Sequence, residues 1–299
     1  MGKAIYSLFF IFFFTACKKG MVFDDTQLSG KIIQATKSSQ KIQVCHFDGQ
    51  SGTSQTILID ISALSAHLAH GDITGNCADV TTTICNQNWM VRNLDVSTYR
   101  NGDTIPQVTD PAEWAQLNTG AWCYYKNNPS NESTYGKLYN WYAVNDPRGL
   151  APKGWHIPSA SEWYVLIKCI DPNADTSHVF SPFGWLIDNM SPSSIAGGAM
   201  KETGTLYWHI PNQGASNSTH FTGLANGYRY DSGLFNFISY YGYWWSTTYT
   251  KDIIGSQHAW HLNLQYNDAV SFVGFGELRA GLSVRCIKDY HQKEKDVLK

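Results

Sequence analysis

The sequence predicts an α+β protein: a large domain with two helices and many short strands, preceded by a small β-hairpin-plus-helix module. Three observations lead to this fold class. A helical segment, a loop rich in Pro and Gly and a second helix start follow one another over residues 135–162. Short β-prone segments separated by clusters of Asn, Gly and Ser occupy the last third of the chain. Near the N-terminus, the strand-like segments 41–46 and 53–61 flank a turn-forming run of Asp, Gly and Ser.

The second helix of the large domain has the clearest pattern. Ser159 and Glu162 have the spacing of a capping box, which satisfies free backbone N–H groups at a helix start. Apolar residues then recur at the spacing of one buried helix face: Trp163, Leu166, Ile167 and Ile170. We therefore expect residues 135–162 to be the structural hub of the domain, with Pro and Gly residues reversing the chain between its helices.

The first residues resemble a bacterial lipoprotein signal peptide. Lys3 supplies a positive start, residues 4–14 form an apolar run, and small residues precede Cys17. Cleavage before Cys17 would leave this cysteine as a lipidated N-terminus held on a membrane, which predicts an outer-membrane lipoprotein of the cell envelope. Whether the protein faces the periplasm or the outside stays open. The alternative is an ordinary secretory signal with an incidental cysteine.

The remaining chain divides by composition. The helix of the small module is expected from Ala63 to His70, with Ser62 as its N-cap and Gly71 after its end. A unit of this size has too little core to be stable without a disulfide or a metal. The predicted order is signal peptide 1–16, tether 17–40, small module 41–78, large domain 79–290 and polar tail 291–299.

The overall charge argues against a nucleic acid partner. A net charge of -2 and a sequence pI of about 6.5 provide no basic field for a phosphate backbone. Only 15% of residues are charged while 14% are aromatic, which suits an exported β-rich domain. Most of these rings are expected in the core, and rings left at the surface would be able to stack against sugars.

The cysteines outside the signal predict disulfides. With Cys17 assigned to lipid, six of the seven cysteines remain, and an even number in an exported chain indicates a disulfide set. No CxxC pair occurs, so a zinc ribbon or a thioredoxin-type site is not expected. For Cys286 the candidate partners are Cys169 and Cys85, and sequence does not choose between them. The disulfide candidates are Cys45, Cys77, Cys85, Cys123, Cys169 and Cys286.

The small module also gathers residues that are able to bind a metal. A zinc or copper site would draw on a subset of Cys45, His46, His67, His70 and Cys77. Adjacent strand residues point to opposite sides, so Cys45 and His46 cannot easily face one ion. The preferred prediction is therefore a Cys45–Cys77 disulfide with structural histidines and no cofactor. A metal site is the first alternative. The second alternative is that the module contains neither the disulfide nor a metal.

From Cys85 to Asp289 a series of motifs occurs in a specific order. They include Asn86-Gln-Asn-Trp-Met90, Tyr135-Gly-Lys-Leu-Tyr-Asn-Trp-Tyr142, Gly149-Leu-Ala-Pro-Lys-Gly-Trp-His-Ile-Pro-Ser159, Tyr241-Gly-Tyr-Trp-Trp-Ser246 and Leu282-Ser-Val-Arg-Cys-Ile287. Together they resemble the Fibrobacter succinogenes major paralogous domain, which is common in exported lipoproteins of Bacteroidota and Fibrobacterota. That family is similar to the formylglycine-generating-enzyme, sulfatase-modifying-factor type of fold, a variant of the C-type-lectin architecture. The resemblance implies paired terminal strands and no established activity.

The same resemblance argues against an enzyme. Formylglycine-generating enzymes bind copper through two nearby cysteines in their C-terminal part, where this chain offers only Cys286. No nucleophile elbow, P-loop or HExxH motif occurs, and the calcium motifs Glu-Pro-Asn and Gln-Pro-Asp of C-type lectins are absent. A glycosidase would need a carboxylate pair assembled in space from isolated acids. Those acids are Glu113, Glu162, Glu202 and Glu277.

Four tryptophans are candidates for a ligand-stacking platform. Trp244 and Trp245 are adjacent in a β-prone segment, so alternating side-chain direction would bury one and expose the other. The exposed ring, with Trp208 and Trp260, is predicted to stack against a ligand. By contrast, His156 is interpreted as a hydrogen-bond partner that holds the hub loop.

These features predict a lipid-anchored envelope protein with a non-catalytic binding or adhesion role. The membrane is the expected partner of the N-terminal lipid, and a glycan or a surface protein is the expected ligand. A structural or assembly component of the envelope without a small ligand is the alternative, and an enzyme of unrecognised type is a further one.

Overall fold

The computed structural model describes residues 40–47, 54–69, 72–176, 190–251 and 255–289. Several predictions fall outside these residues: the signal peptide, Cys17, the tether up to residue 39, His70 and the polar tail from residue 291. Within the described ranges, no helix combines the length and apolarity needed to cross a membrane. Short helices and strands are mixed in irregular order, so the described chain is α+β, as predicted.

The small module is a three-stranded sheet with two short helices. Its elements are β1 (Lys41–Phe47), β2 (Ser54–Asp60), α1 (Leu64–Ala69), β3 (Ile73–Thr74) and α2 (Cys77–Val80). β1 is the central strand, with β2 and β3 antiparallel on either side. A disulfide joins Cys45 on β1 to Cys77 on α2, with Cα atoms 4.6 Å apart. The predicted Cys45–Cys77 disulfide is therefore confirmed.

The large domain contains short strands and mostly single-turn helices. The strands are β4 (Thr81–Ile84), β5 (Gln87–Met90), β6 (Trp122–Cys123), β7 (Leu138–Tyr139), β8 (Trp155–His156), β9 (Met190–Ser193), β10 (Asn226–Arg229), β11 (Phe235–Ile238), β12 (Tyr241–Lys251), β13 (Gln257–Gln265), β14 (Ser271–Glu277) and β15 (Ile287–Lys288). The helices are α3 (Pro111–Trp114), α4 (Glu132–Tyr135), α5 (Trp141–Val144), α6 (Ala160–Ile170) and α7 (Ala196–Met200).

One sheet joins the beginning, middle and end of the domain. Its strand order is β4-β5-β15-β8, with Ile287 opposite both Trp89 and His156. The terminal strands are therefore paired, as the resemblance implies. A second sheet with the order β12-β13-β14-β9 presents one face to α6. Trp163 of α6 also stacks on Trp89 of β5, in the first sheet, at a centroid distance of 4.8 Å.

Helix α6 agrees with its sequence pattern. The Ser159 side chain accepts from the backbone of Glu162, whose carboxylate accepts from the backbone of Ser159, so the capping box is complete. The expected first helix of the hub is divided into α4 and α5, with strand β7 between them. Gly136 ends α4 at φ +68°, and a Cβ there would lie 2.8 Å from the backbone oxygen of Leu94. The prediction of one helix in this position was wrong because the chain here adopts a conformation that needs glycine.

The large domain has one disulfide and two buried thiols among the described residues. Cys85, in the β4–β5 turn, pairs with Cys169 near the end of α6. Cys123 and Cys286 are free and fully buried, and burial raises the pKa of each thiol to about 12. The expected pairing of Cys286 with Cys169 or Cys85 was wrong because those two cysteines pair with each other.

Candidate functional site

The predicted tryptophan platform is part of the core. None of its rings is more than 4% exposed. Alternation along β12 does send Trp244 and Trp245 to opposite faces, but each face is covered by a different apolar cluster. Their indole N–H groups donate to Asn93 Oδ1 and to the Tyr139 carbonyl, both at 2.8 Å. The stacking role predicted for Trp208, Trp244, Trp245 and Trp260 is therefore corrected to a packing role.

Partly exposed aromatic rings gather instead in an open cleft beside β12. The cleft has a volume of about 370 Å³, at the small end of the range for ligand sites. Tyr228 is the centre of its aromatic wall, with ring centroids 4.5 Å from Tyr230 and 4.9 Å from Tyr243. Burial raises the pKa of Tyr228 and of Tyr243, so both phenols stay protonated and are able to donate hydrogen bonds.

Strand pairing creates the floor of this cleft. Tyr243 and Trp245 lie on one face of β12, and His261 on β13 is directly opposite Trp245. On β14 the floor is lined by Gly276, which has no side chain. A Cβ at Gly276 would lie 3.8 Å from His261 Nδ1 and 3.9 Å from the Trp245 ring, in ordinary contact with both. The missing side chain therefore leaves no Cβ packed against the imidazole and the indole at this position.

His261 is the unusual polar group of the cleft. Its side chain is almost fully buried, and Nδ1 makes no hydrogen bond within the described part of the chain. Burial lowers the pKa of His261 to about 4, so the ring is neutral at ordinary pH. A buried polar atom without a partner is costly, and such atoms in native proteins call for an explanation such as a ligand or water.

The rim of the cleft carries acids. Asp231 and Glu277 line it, and none of the described lining residues is Lys or Arg. Glu277 Oε1 lies 3.6 Å from the Nδ1 atom of His258. This charge pattern suits a neutral or cationic ligand and disfavours an anionic one.

A second polar cluster lies in the small module. Asp72 Oδ2 accepts from His46 Nδ1 at 2.8 Å and from His67 Nδ1 at 2.6 Å. The disulfide occupies Cys45 and Cys77, so a metal site that uses these thiolates is excluded. Sequence reasoning missed Asp72, although it lies five residues after His67 in the same segment.

The polar residues of the hub serve structure. His156 Nδ1 lies 2.7 Å from Asp289 Oδ1 and His156 Nε2 lies 2.7 Å from Glu162 Oε1, which confirms the interpretation of this histidine as a hydrogen-bond partner. The hydrogen bond to Glu162 is the largest favourable cause of the raised pKa of His156, with Asp289 adding to it. His156 therefore links the start of α6 to the residue after β15.

The cleft lies within a recognised domain. The pattern of the Fibrobacter succinogenes major domain matches residues 82–288. The chain belongs to this family. No curated protein and no solved structure matches the chain. All the residues that line the cleft are inside the major domain, whereas His46, His67 and Asp72 precede it.

Proposed function

We propose that this protein is an exported, lipid-anchored envelope protein that binds a neutral glycan in the aromatic cleft of its major domain. The observation that carries the proposal is the partly exposed Tyr228–Tyr230–Tyr243 wall around a neutral His261 whose Nδ1 has no partner among the described residues. The rings offer flat apolar faces to the C–H side of a sugar. The phenols and the imidazole offer hydrogen bonds to its hydroxyl groups.

The proposed role is non-catalytic. His261 is the only described histidine that lines the cleft, and its pKa of about 4 makes it a poor proton carrier near neutral pH. An enzyme would have to rely on Asp231 and Glu277 at the rim. Hydrolysis of a bound glycan would therefore point to these two carboxylates and contradict a purely binding role.

The finer fold assignment belongs to the same proposal. We infer a C-type-lectin-like or sulfatase-modifying-factor-like architecture for the major domain. The pairing of β15 with β5, the helix α6 after the Pro-rich loop and the late antiparallel sheet support it.

The location of the protein is also a proposal. Lipid on Cys17 would hold the major domain at the envelope, most simply at the outer membrane. Mass spectrometry of the mature N-terminal peptide tests this directly. Acyl chains on Cys17, lost together with membrane attachment in a Cys17→Ser variant, would support it, whereas a mature chain that begins elsewhere would contradict it.

A glycan-array screen of the purified protein tests ligand binding. We expect at least one neutral glycan to bind, with affinity reduced at least about tenfold in Tyr230→Ala, since loss of a hot-spot aromatic ring typically costs about 2 kcal/mol or more. Tyr249→Ala is the matched control, because Tyr249 is 52% exposed and lies outside the cleft.

Three results would contradict the glycan proposal. They are the absence of binding across a broad neutral array, equal loss of binding in both variants, and a preference for anionic glycans. Binding of a protein partner in the same assay format, with no glycan bound, would favour the assembly role instead.

A further inference from the structure

We propose that His46, His67 and Asp72 form a binding site for a divalent transition metal in the small module. The three residues come from β1, from α1 and from the residue before β3, so the fold of the module brings them together. One ligand atom from each lies within 4.8 Å of the others. This site is separate from the aromatic cleft and does not depend on the glycan proposal.

The composition of the cluster is that of a transition-metal site. Two imidazoles and one carboxylate suit zinc, copper, iron or nickel better than calcium or magnesium, which prefer oxygen ligands. The Asp72 side chain is fully buried, whereas the side chains of His46 and His67 are 31% and 24% exposed. The carboxylate thus provides a buried negative charge, and the two rings leave an approach from solvent.

Without metal, the cluster is held by hydrogen bonds. Asp72 Oδ2 accepts from the Nδ1–H groups of both rings, which places each neutral imidazole in the Nδ1–H tautomer. A metal bound by Nδ1 would replace these two hydrogens. Each ring would then carry its proton on Nε2, so the exchange needs a change of tautomer and no net loss of protons.

Metal binding requires the ligand atoms to rearrange. Ligand atoms on a tetrahedral ion with bonds of about 2.0 to 2.1 Å lie roughly 3.3 Å apart. The contacts to Asp72 Oδ2 are 2.8 and 2.6 Å, so metal binding would lengthen them by roughly 0.5 and 0.7 Å, while ligand atoms as much as 4.8 Å apart would approach by up to about 1.5 Å. Both rings are partly exposed, so their rotation is the movement we expect. Three protein ligands would leave a fourth position for water.

The surrounding structure holds the ligands in place. The backbone N–H of Asp72 donates to the His67 carbonyl at 3.1 Å, and β3 pairs with β1 immediately after Asp72. The Cys45–Cys77 disulfide holds Cys45, the neighbour of His46 in β1. Because strand side chains alternate, the disulfide lies on the face of β1 opposite to His46. A site assembled in this way before the ion arrives has less conformational entropy to lose on binding.

Isothermal titration calorimetry with Zn²⁺, followed by Cu²⁺, tests the site. The sample is the tag-free full protein after treatment with EDTA and removal of the chelator, without reductant so that Cys45 and Cys77 stay paired. We expect one equivalent of metal bound per chain. The affinity should fall at least about tenfold in His46→Gln and in His67→Gln, as even the loss of an outer-shell partner typically costs 10- to 100-fold.

A double variant and a control complete the test. His46→Gln/His67→Gln should abolish stoichiometric binding, while His209→Gln, which changes a histidine outside the small module, should bind like the native protein. Asp72→Asn tests the carboxylate, and near-UV circular dichroism of each variant reports whether it is folded. Absence of stoichiometric binding to the native protein, or undiminished binding to the folded double variant, would overturn the proposal.

Discussion

His261 lies directly opposite Trp245 across the β12–β13 pair, and its Nδ1 atom has no hydrogen-bond partner among the described residues. This relationship places a neutral acceptor or donor at the bottom of an aromatic cleft. Of the four tryptophans first considered for ligand stacking, Trp245 lines this cleft, and the other three pack in a separate apolar cluster. The floor of the candidate site thus comes from neighbouring strands of one sheet, whereas Tyr228 and Tyr230 of its aromatic wall come from β10 and the residue after it, in a separate two-stranded sheet.

Acidification should destabilise the protein through His261. Its pKa is about 4 in the folded state and 6.5 in the absence of perturbation, so the unfolded chain binds more protons between these values. The contribution of this residue to stability is complete above about pH 6.5 and falls towards pH 4, by at most about 1.4 kcal/mol per pH unit. Urea unfolding at pH 7, 5.5 and 4.5 measures it. His261→Asn should have a shallower dependence, and an unchanged slope would contradict a buried neutral ring.

His156 should show the opposite behaviour. Its pKa is raised by the carboxylates of Glu162 and Asp289, so its contribution to stability is complete below 6.5 and is lost as the pH rises through the folded pKa. An NMR titration of the imidazole should give a midpoint above 6.5. Glu162→Gln should lower that midpoint more than Asp289→Asn, while glutamine still permits the capping box. A midpoint that neither change alters would rule out these two contacts as its cause.

Replacement of Arg285 should be severely destabilising. The guanidinium is 1% exposed and donates to the Met90 and Phe221 carbonyls and to Asn93 Oδ1. Lysine cannot reproduce this planar set of donors, so we expect Arg285→Lys to lose on the order of 3 kcal/mol of unfolding free energy. Arg148→Lys is the control, because that side chain is 40% exposed and its replacement should have a much smaller effect on unfolding. Equal effects in denaturant unfolding would contradict the role given to burial.

The cysteines should fall into two chemical classes. Cys123 and Cys286 are buried thiols with a pKa raised to about 12, so they should resist iodoacetamide in the native protein and react after denaturation. The paired cysteines Cys45, Cys77, Cys85 and Cys169 should react only after reduction. Peptide mapping by mass spectrometry distinguishes the two. Rapid native labelling of Cys286, or a disulfide that includes it, would contradict this pairing.

The sequence predicts features that depend on short-range pattern. The capping box at Ser159 and the buried face of α6 need only residues within a few turns of one helix. The Cys45–Cys77 disulfide followed from a module too small to be stable without a cross-link. These predictions succeeded because the physical cause and the sequence signal occupy the same short segment.

Features that depend on distant pairing were not predictable in this way. Alternation along β12 indicates that Trp244 and Trp245 face opposite sides, but not that both sides are covered. The cleft depends on the register that brings Gly276 to His261, and the metal-ligand cluster joins His46 to Asp72 across 26 positions. Sequence supplies the residue types for these sites, while their proximity is a property of the folded sheets.

The central claim, that the cleft beside His261 binds the ligand, is tested most directly by NMR of the labelled imidazole. The glycan selected by the array is added to the native protein, to Gly276→Leu and to Thr83→Leu, in which a leucine is placed at an exposed position of β4. We predict that the chemical shifts of the His261 nitrogens change in a saturable way when glycan is added to the native and Thr83→Leu proteins. In folded Gly276→Leu, we predict that the glycan no longer binds and that these chemical shifts do not change. Unchanged affinity in Gly276→Leu, or binding without any change at His261, would contradict the account.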